Sequence, residues 1–247
     1  MTKQVSLNAL WESAKSNQDT FPSKQLSQLP QAAQRYLEHA IAPGTKLASA
    51  VRLKMHGEIK LQNWLPFTAE QVISRSRGTI WSAKVSMNGL PIRGSDRIVD
   101  GVGAMQWKLW GLIPVKQASG LEIAKSTFGR FQAELVWLPS VFCGSEVSWT
   151  TNSSQLQLSF PALDNQAELT LTTENTGRLN SVELRRWGNP DNTEFRYLNF
   201  GGIVEQEGTF GGYTIPTRLR VGWYMNSDRF ESEGEFFRVT VDNAIYR

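Results

Sequence analysis

From residue 47 onwards apolar and polar side chains alternate with the two-residue period of a strand half-buried in a sheet. Val51, Leu53, Met55, Gly57, Ile59 and Leu61 share one phase, and Arg52, Lys54, His56, Glu58 and Lys60 the other. Further strands are expected at roughly 66–76, 79–88, 91–100 and 102–110. A second series follows at 145–151, 154–160, 166–173, 179–187, 194–207, 213–225 and 229–246. Gly78, Asn88-Gly89 and Asp100-Gly101 punctuate the first series, and the Asn-Gly and Asp-Gly pairs are strong hairpin turns. Asn152-Ser153, 175–177 and 188–191 are the turns of the second. Gly103 inside a strand points to a bulge or bend, and Gly111 and Pro114 read as a lead into the next element.

That next element, residues 119–139, has helical spacing: Leu121, Ala124, Phe128, Phe131, Leu135 and Leu138 recur on one stripe, and Pro139 ends it. Before the sheet, residues 5–16 predict a short helix with Leu7, Leu10 and Trp11 on one side. A second helix is expected with Ser27 as its cap and Pro30 in its first turn, and with Leu29, Ala33, Tyr36 and Leu37 as its apolar stripe. The fold class is therefore α+β and mainly β. We expect one domain over 1–247: a helical segment, 1–44, packed on a large curved antiparallel sheet, 45–247, with one central helix near 119–138. About twelve strands must curl into a barrel or half-barrel to hide their edges, and the helices would cover the resulting cavity.

Composition adds an aromatic bias: 9 Trp and 12 Phe against 2 His in 247 residues, within 40% hydrophobic residues. That weight suits a large core or a pocket for a hydrophobic or aromatic small molecule. The net charge of +3 is spread along the chain, so no nucleic-acid partner is expected. One cysteine, Cys143, excludes an internal disulfide, reads as a buried inert thiol and fits a reducing compartment. Two histidines and one cysteine, widely spaced, give no metal signature; His56 lies on a charged strand face and reads as a solvated histidine. Phosphate-cradling glycine motifs are absent, so no cofactor is expected. With no apolar run of signal-peptide or membrane-spanning length, the expected location is cytoplasmic.

Arg130 and Glu134 carry the candidate chemistry. Four residues apart on a helix, they lie side by side, with Trp137 further along. A carboxyl held against an indole away from water is a candidate general acid, and an arginine a candidate grip for a substrate carboxylate. A plain surface ion pair has the same spacing. Trp137, Trp107, Trp81, Tyr213 and Trp223 are the candidate substrate-binding walls. Arg93, Asp96, Arg97 and Asp100 read as a solvated strand face.

Several segments resemble a bacterial family known as a domain of unknown function. They are Arg35-Tyr36-Leu37, Pro66-Phe67-Thr68-Ala69-Glu70-Gln71, Trp81-Ser82-Ala83 and Arg130-x-x-x-Glu134-x-x-Trp137-x-Pro139, followed by Trp149, Gly212-Tyr213-x-Ile215-Pro216 and Val221-Gly222-Trp223. The segment before Trp81, RSRGTI, departs from that pattern by lacking a Pro-Gly-Phe. The chain is also similar to the cyclase/decarboxylase of scytonemin pigment biosynthesis. That resemblance implies a cofactor-free enzyme closing a cyclopentane ring on an indole-bearing β-keto acid, with loss of water and carbon dioxide. It casts Glu134 as the acid, Arg130 as the carboxylate's cation and the tryptophans as the indole's walls. The contrasting reading is a non-catalytic carrier of lipid or another apolar ligand.

Overall fold

The first and last strands of this protein pair with each other, and that pairing organises the sheet. A computed structural model describes residues 4–16, 18–22, 26–87, 89–152 and 155–247. Helices α1 (Leu7–Glu12) and α2 (Gln31–Ala40) precede six strands: β1 (Ala50–Lys60), β2 (Trp64–Ser74), β3 (Gly78–Met87), β4 (Leu90–Val99), β5 (Val102–Leu109) and β6 (Ile113–Ser119). Helix α3 (Leu121–Glu134) is followed by β7 (Ser148–Asn152), β8 (Gln155–Ala162), β9 (Asn165–Thr173), β10 (Leu179–Gly188), β11 (Arg196–Phe210), β12 (Tyr213–Trp223) and β13 (Glu235–Tyr246). All thirteen form one antiparallel sheet, ordered β6-β5-β4-β3-β2-β1-β13-β12-β11-β10-β9-β8-β7.

Two hairpin meanders thus meet at β1 and β13, where Leu53 faces Ala244 and Ile59 faces Phe237. The free edges are β6 and β7, the strands on either side of α3, so the sheet is a half-barrel rather than a closed barrel. Helix α3 packs on β4, β5 and β6 of one arm and on β9 and β10 of the other, bridging the gap across the concave side. Gly103 makes that approach possible: a Cβ there would stand 2.5 Å from Ala124 Cα. The glycine expected to mark a bulge instead sits in register opposite Ile98 and seats the helix.

The apolar phase faces the concave side throughout, from Leu53 and Ile73 to Leu171 and Leu219. One end of the concavity is filled. There α2 delivers Tyr36 and Leu37, and 3-10 turns over Leu135–Trp137 and Pro139–Cys143 add Phe142, against Trp149 and Phe160. On the convex side α1, capped by Ser6, packs Leu10 on Val72, Ile80 and Val99. This second layer explains why β2 and β3 carry apolar residues in both phases.

Two sequence expectations change in detail. Helix α3 ends at Glu134, not at Pro139: the chain tightens into 3-10 turns, and Leu138, before the proline, leaves the helical region with φ −131° and ψ 62°. The segment expected to lead from Gly111 and Pro114 into the helix is the edge strand β6, which tolerates proline because an edge has one unpaired side. Asp100-Gly101 forms its expected turn with φ of 50° and 77°. Asn88 and Ser153, of the expected Asn88-Gly89 and Asn152-Ser153 turns, lie outside the described residues.

Candidate functional site

Gln71, Asp96 and Arg186 interrupt the apolar phase of the concave face, and they converge on α3. Gln71 lies opposite Trp81, which lies opposite Asp96, all in the concave phase. Arg186 shares the phase of Val182 and Leu184 on the other arm. From α3, Arg130 Nε donates to Glu134 Oε1 at 2.5 Å and Arg130 Nη1 to Asp96 Oδ2 at 3.1 Å. The second oxygen of Asp96 accepts from Trp107 Nε1 at 2.9 Å. The second oxygen of Glu134 accepts from Gln71 Nε2 at 2.5 Å, and Gln71 also donates to Thr79 Oγ1 at 2.9 Å. Side-chain exposure is 8% for Glu134, 15% for Asp96 and 20% for Arg130, so this is a sheltered network rather than a surface pair. Burial alone would lower the pKa of Arg130, but Glu134 and Asp96 outweigh it and hold the guanidinium above its ordinary value.

Around these charges lies an aromatic floor. Trp107 tilts against Trp81 at 5.8 Å, Trp81 meets Phe67 at 5.6 Å, and Phe67 stacks on Phe237 at 4.9 Å. Phe237 continues to Phe236 at 6.5 Å, Phe236 to Phe200 at 6.3 Å, and Phe200 to Trp223 at 5.1 Å. Trp81, Phe67 and Phe200 are buried, whereas Trp107, Trp223, Phe236 and Phe237 are partly open to solvent. Each end of this belt carries a guanidinium on its rings. Arg130 lies 4.8 Å from the Trp81 centroid, and Arg186 lies 4.3 Å from Phe200 and 4.9 Å from Trp223.

Arg186 differs from Arg130 in its company. It is 9% exposed, its Nε donates to Ser126 O at 3.1 Å, and no carboxylate forms an ion pair with it among the described residues. Burial, with repulsion from Arg130 next, pulls its pKa down to about 9 against the more distant pull of Glu134 and Asp96. The group is still a cation at neutral pH. Beside α3, a groove of about 980 Å³ runs past Phe128, Gly129 and Gln132 to Trp187 and Tyr197.

The sequence-selected residues therefore divide. Arg130, Glu134, Trp81, Trp107 and Trp223 come together on the concave face. Trp137 and Tyr213 belong to the filled end: Trp137 Nε1 donates to Pro216 O, and Tyr213 stacks 4.0 Å from Tyr246 while its hydroxyl donates to Lys46 O. The indole against the Arg130–Glu134 pair is Trp81, from the sheet, not Trp137. Asp96 leaves the expected solvated face to bind Arg130 and Trp107, while Asp100 remains exposed and pairs with Arg77. Asp96, Gln71 and Arg186 carry a readable signal: each is a polar residue in the apolar phase of its strand. His56 is exposed and pairs with Asp242, and Cys143 is buried with its thiol pushed up to about 12 by desolvation.

Among the described residues no three of His, Cys, Asp and Glu gather as a metal site, and no helix is long and apolar enough to cross a membrane. None of the curated proteins matches the chain. Solved structures of similar shape include an outer membrane lipoprotein-sorting protein domain from Vibrio parahaemolyticus, so described, at 9% identity and TM-score 0.42, covering 81% of this chain and 86% of that one. A LolA superfamily protein from Nitrosomonas europaea matches at 9% identity and TM-score 0.42, covering 87% of this chain and 92% of that one. At that level the likeness assigns neither a ligand nor a compartment. The model of a "Family of unknown function (DUF6920)" matches residues 27–246, and the chain belongs to that family.

Proposed function

We propose that the protein binds an apolar small molecule with an anionic head, laid on the aromatic floor under α3. The observation that carries this reading is the unbroken ring-to-ring belt from Trp107 to Trp223, four members of which stay partly exposed. A ligand covering about 300 Å² of that floor would gain about 7 kcal/mol from apolar burial before the cost of ordering it. Arg186 indicates the head group. Two cation–π contacts, about 2 kcal/mol each when desolvated, fall short of the several kcal/mol that burying a guanidinium costs. A carboxylate or phosphate on the ligand would make up that deficit through charge-assisted hydrogen bonds.

The test is a titration with a matched pair, a long-chain carboxylic acid and the alcohol of the same chain. The acid should saturate one site and outcompete the alcohol by about tenfold or more, a preference that Arg186→Met removes. Absence of binding by either compound would sink the proposal, and equal binding would confine it to an apolar ligand without a recognised head.

One observation favours a second, catalytic reading. Trp81 Nε1 and Gln71 Oε1, both beside the ion cluster, are a buried donor and acceptor without partners among the described residues. In a cyclisation and decarboxylation of an indole-bearing β-keto acid, Arg130 would turn to hold the carboxylate, Glu134, protonated once released from Arg130, would donate that proton to the ketone oxygen, and the floor would carry the indole. Both oxygens of Glu134 already accept hydrogen bonds, so substrate would have to displace Arg130 or Gln71. Turnover of such an acid by the wild type, abolished in Glu134→Gln while binding persists, is what this reading requires. Without turnover the carrier reading stands alone.

A further inference from the structure

Three successive hairpins, β1–β2, β3–β4 and β5–β6, turn at the same end of the sheet, because neighbouring antiparallel strands place alternate turns together. Among the described residues, the apolar side chains beside these turns are bare. Leu61 is 63% exposed, Leu90 39%, Trp110 54%, Leu112 80% and Ile113 53%. An isolated exposed leucine is ordinary, but a run of them on adjacent tips is the signature of a surface that meets an apolar partner.

The charged residues nearest these turns are of one sign. Residues 59–69, 83–95 and 101–121 contain Lys60, Lys84, Arg93, Lys108 and Lys116 and not one Asp or Glu. On the convex face Lys84 stands directly opposite Arg93, and Arg93 directly opposite Lys108. Like charges facing each other across strands destabilise a sheet, and none of these three is relieved by an ion pair among the described residues. Arginines farther from these turns are commonly answered: Arg52 by Glu70, Arg77 by Asp100, Arg220 by Glu235. The uncompensated row lies behind the apolar tips.

We infer that this end of the half-barrel docks on an anionic lipid bilayer, with Leu61, Leu90, Trp110, Leu112 and Ile113 entering the interfacial layer and Lys84, Arg93 and Lys108 facing the lipid phosphates. Apolar tips backed by cations match the order of a bilayer surface, acyl chains below phosphates. A nucleic acid would be answered by the cations but would leave Trp110, Leu112 and Ile113 exposed, and an apolar protein partner would leave the cations unanswered. The tips do not take part in the charge network on the concave face, so the inference is independent of the ligand assigned there.

Co-sedimentation with vesicles tests it, using phosphatidylcholine alone and phosphatidylcholine with phosphatidylglycerol. The 247-residue chain should bind the anionic vesicles at low salt and lose about tenfold in affinity or more in 0.5 M salt. The Leu112→Asp/Ile113→Asp pair and the Arg93→Glu/Lys108→Glu pair, all at surface positions, should each reduce binding about tenfold while unfolding at the wild-type temperature. No binding to anionic vesicles, equal binding to neutral ones, or binding untouched by both pairs would overturn the inference. Concentration-dependent dimers without vesicle binding would overturn it as well and assign the tips to a second copy of the chain.

Discussion

Gly129 of α3 presses directly on the side chain of Arg186: a Cβ at residue 129 would stand 2.7 Å from Arg186 Cγ and 3.4 Å from its Cβ. The helix can bridge the two arms of the sheet, and the arginine can reach the rings of Phe200 and Trp223, because this position has no side chain.

Gly129→Ala tests that fit. In an ordinary helix the change would stabilise by about 1 kcal/mol. Here the new methyl meets the root of the arginine, which cannot swing aside as a side-chain tip would. Urea unfolding should therefore show a net loss of about 1–3 kcal/mol, the range for overpacking. A stabilised variant would mean that α3 is free to lift off the sheet.

Arg130 answers two carboxylates at once, so its removal should cost more than the removal of either. Arg130→Met leaves Asp96 and Glu134 facing each other in a sheltered site, and breaking such a network typically costs about 3–5 kcal/mol, with the lower figure apt for a group one-fifth exposed. Asp96→Asn/Glu134→Gln in the same background should restore part of the loss, since neutral amides need no cation. A triple variant no more stable than Arg130→Met alone would show that ring packing under the guanidinium, not charge, supplies the stability.

Cys143 provides a pH prediction. Burial raises its thiol to about 12, with Arg75 pulling weakly the other way, so below that pH the reactive thiolate is scarce in the native protein. At pH 8 the folded chain should react with a thiol reagent many times more slowly than the urea-unfolded chain, whose thiol titrates near 8.5. Because the folded pKa lies above the unfolded one, the contribution to stability is present below about 8.5 and is lost as the pH rises towards 12. Equal labelling rates at pH 8 would show that the 3-10 turn carrying Cys143 opens readily.

The period-two alternation fixes most strands, because each has one wet and one dry face, and the hairpin turns are spelled out by pairs such as Asp100-Gly101. Strand β6 escaped because an edge strand with Pro114 and exposed Ile113 and Val115 has no dry face to advertise. The pairing of β1 with β13, which makes an open half-barrel of two meanders, joins residues nearly two hundred positions apart and leaves no local trace. At the site, the Arg130/Glu134 spacing was legible, but its company was not. Trp137 follows Glu134 by three residues, yet the shift from α-helix to 3-10 turn carries its indole to Pro216, and Trp81 from a different strand takes the place beside Arg130. Asp96, Gln71 and Arg186 become visible once a polar residue in a strand's apolar phase is treated as a signal rather than as noise.

The most direct test of the ligand-binding account is a titration of the protein with a long-chain carboxylic acid, followed by tryptophan emission, in the wild type and in Trp223→Ala/Phe237→Ala. The account predicts a saturable change at one ligand per chain in the wild type and an affinity lower by about tenfold or more when two partly exposed floor rings are removed. Unchanged emission at every concentration, or equal affinity in both proteins, would contradict a binding site on the aromatic floor.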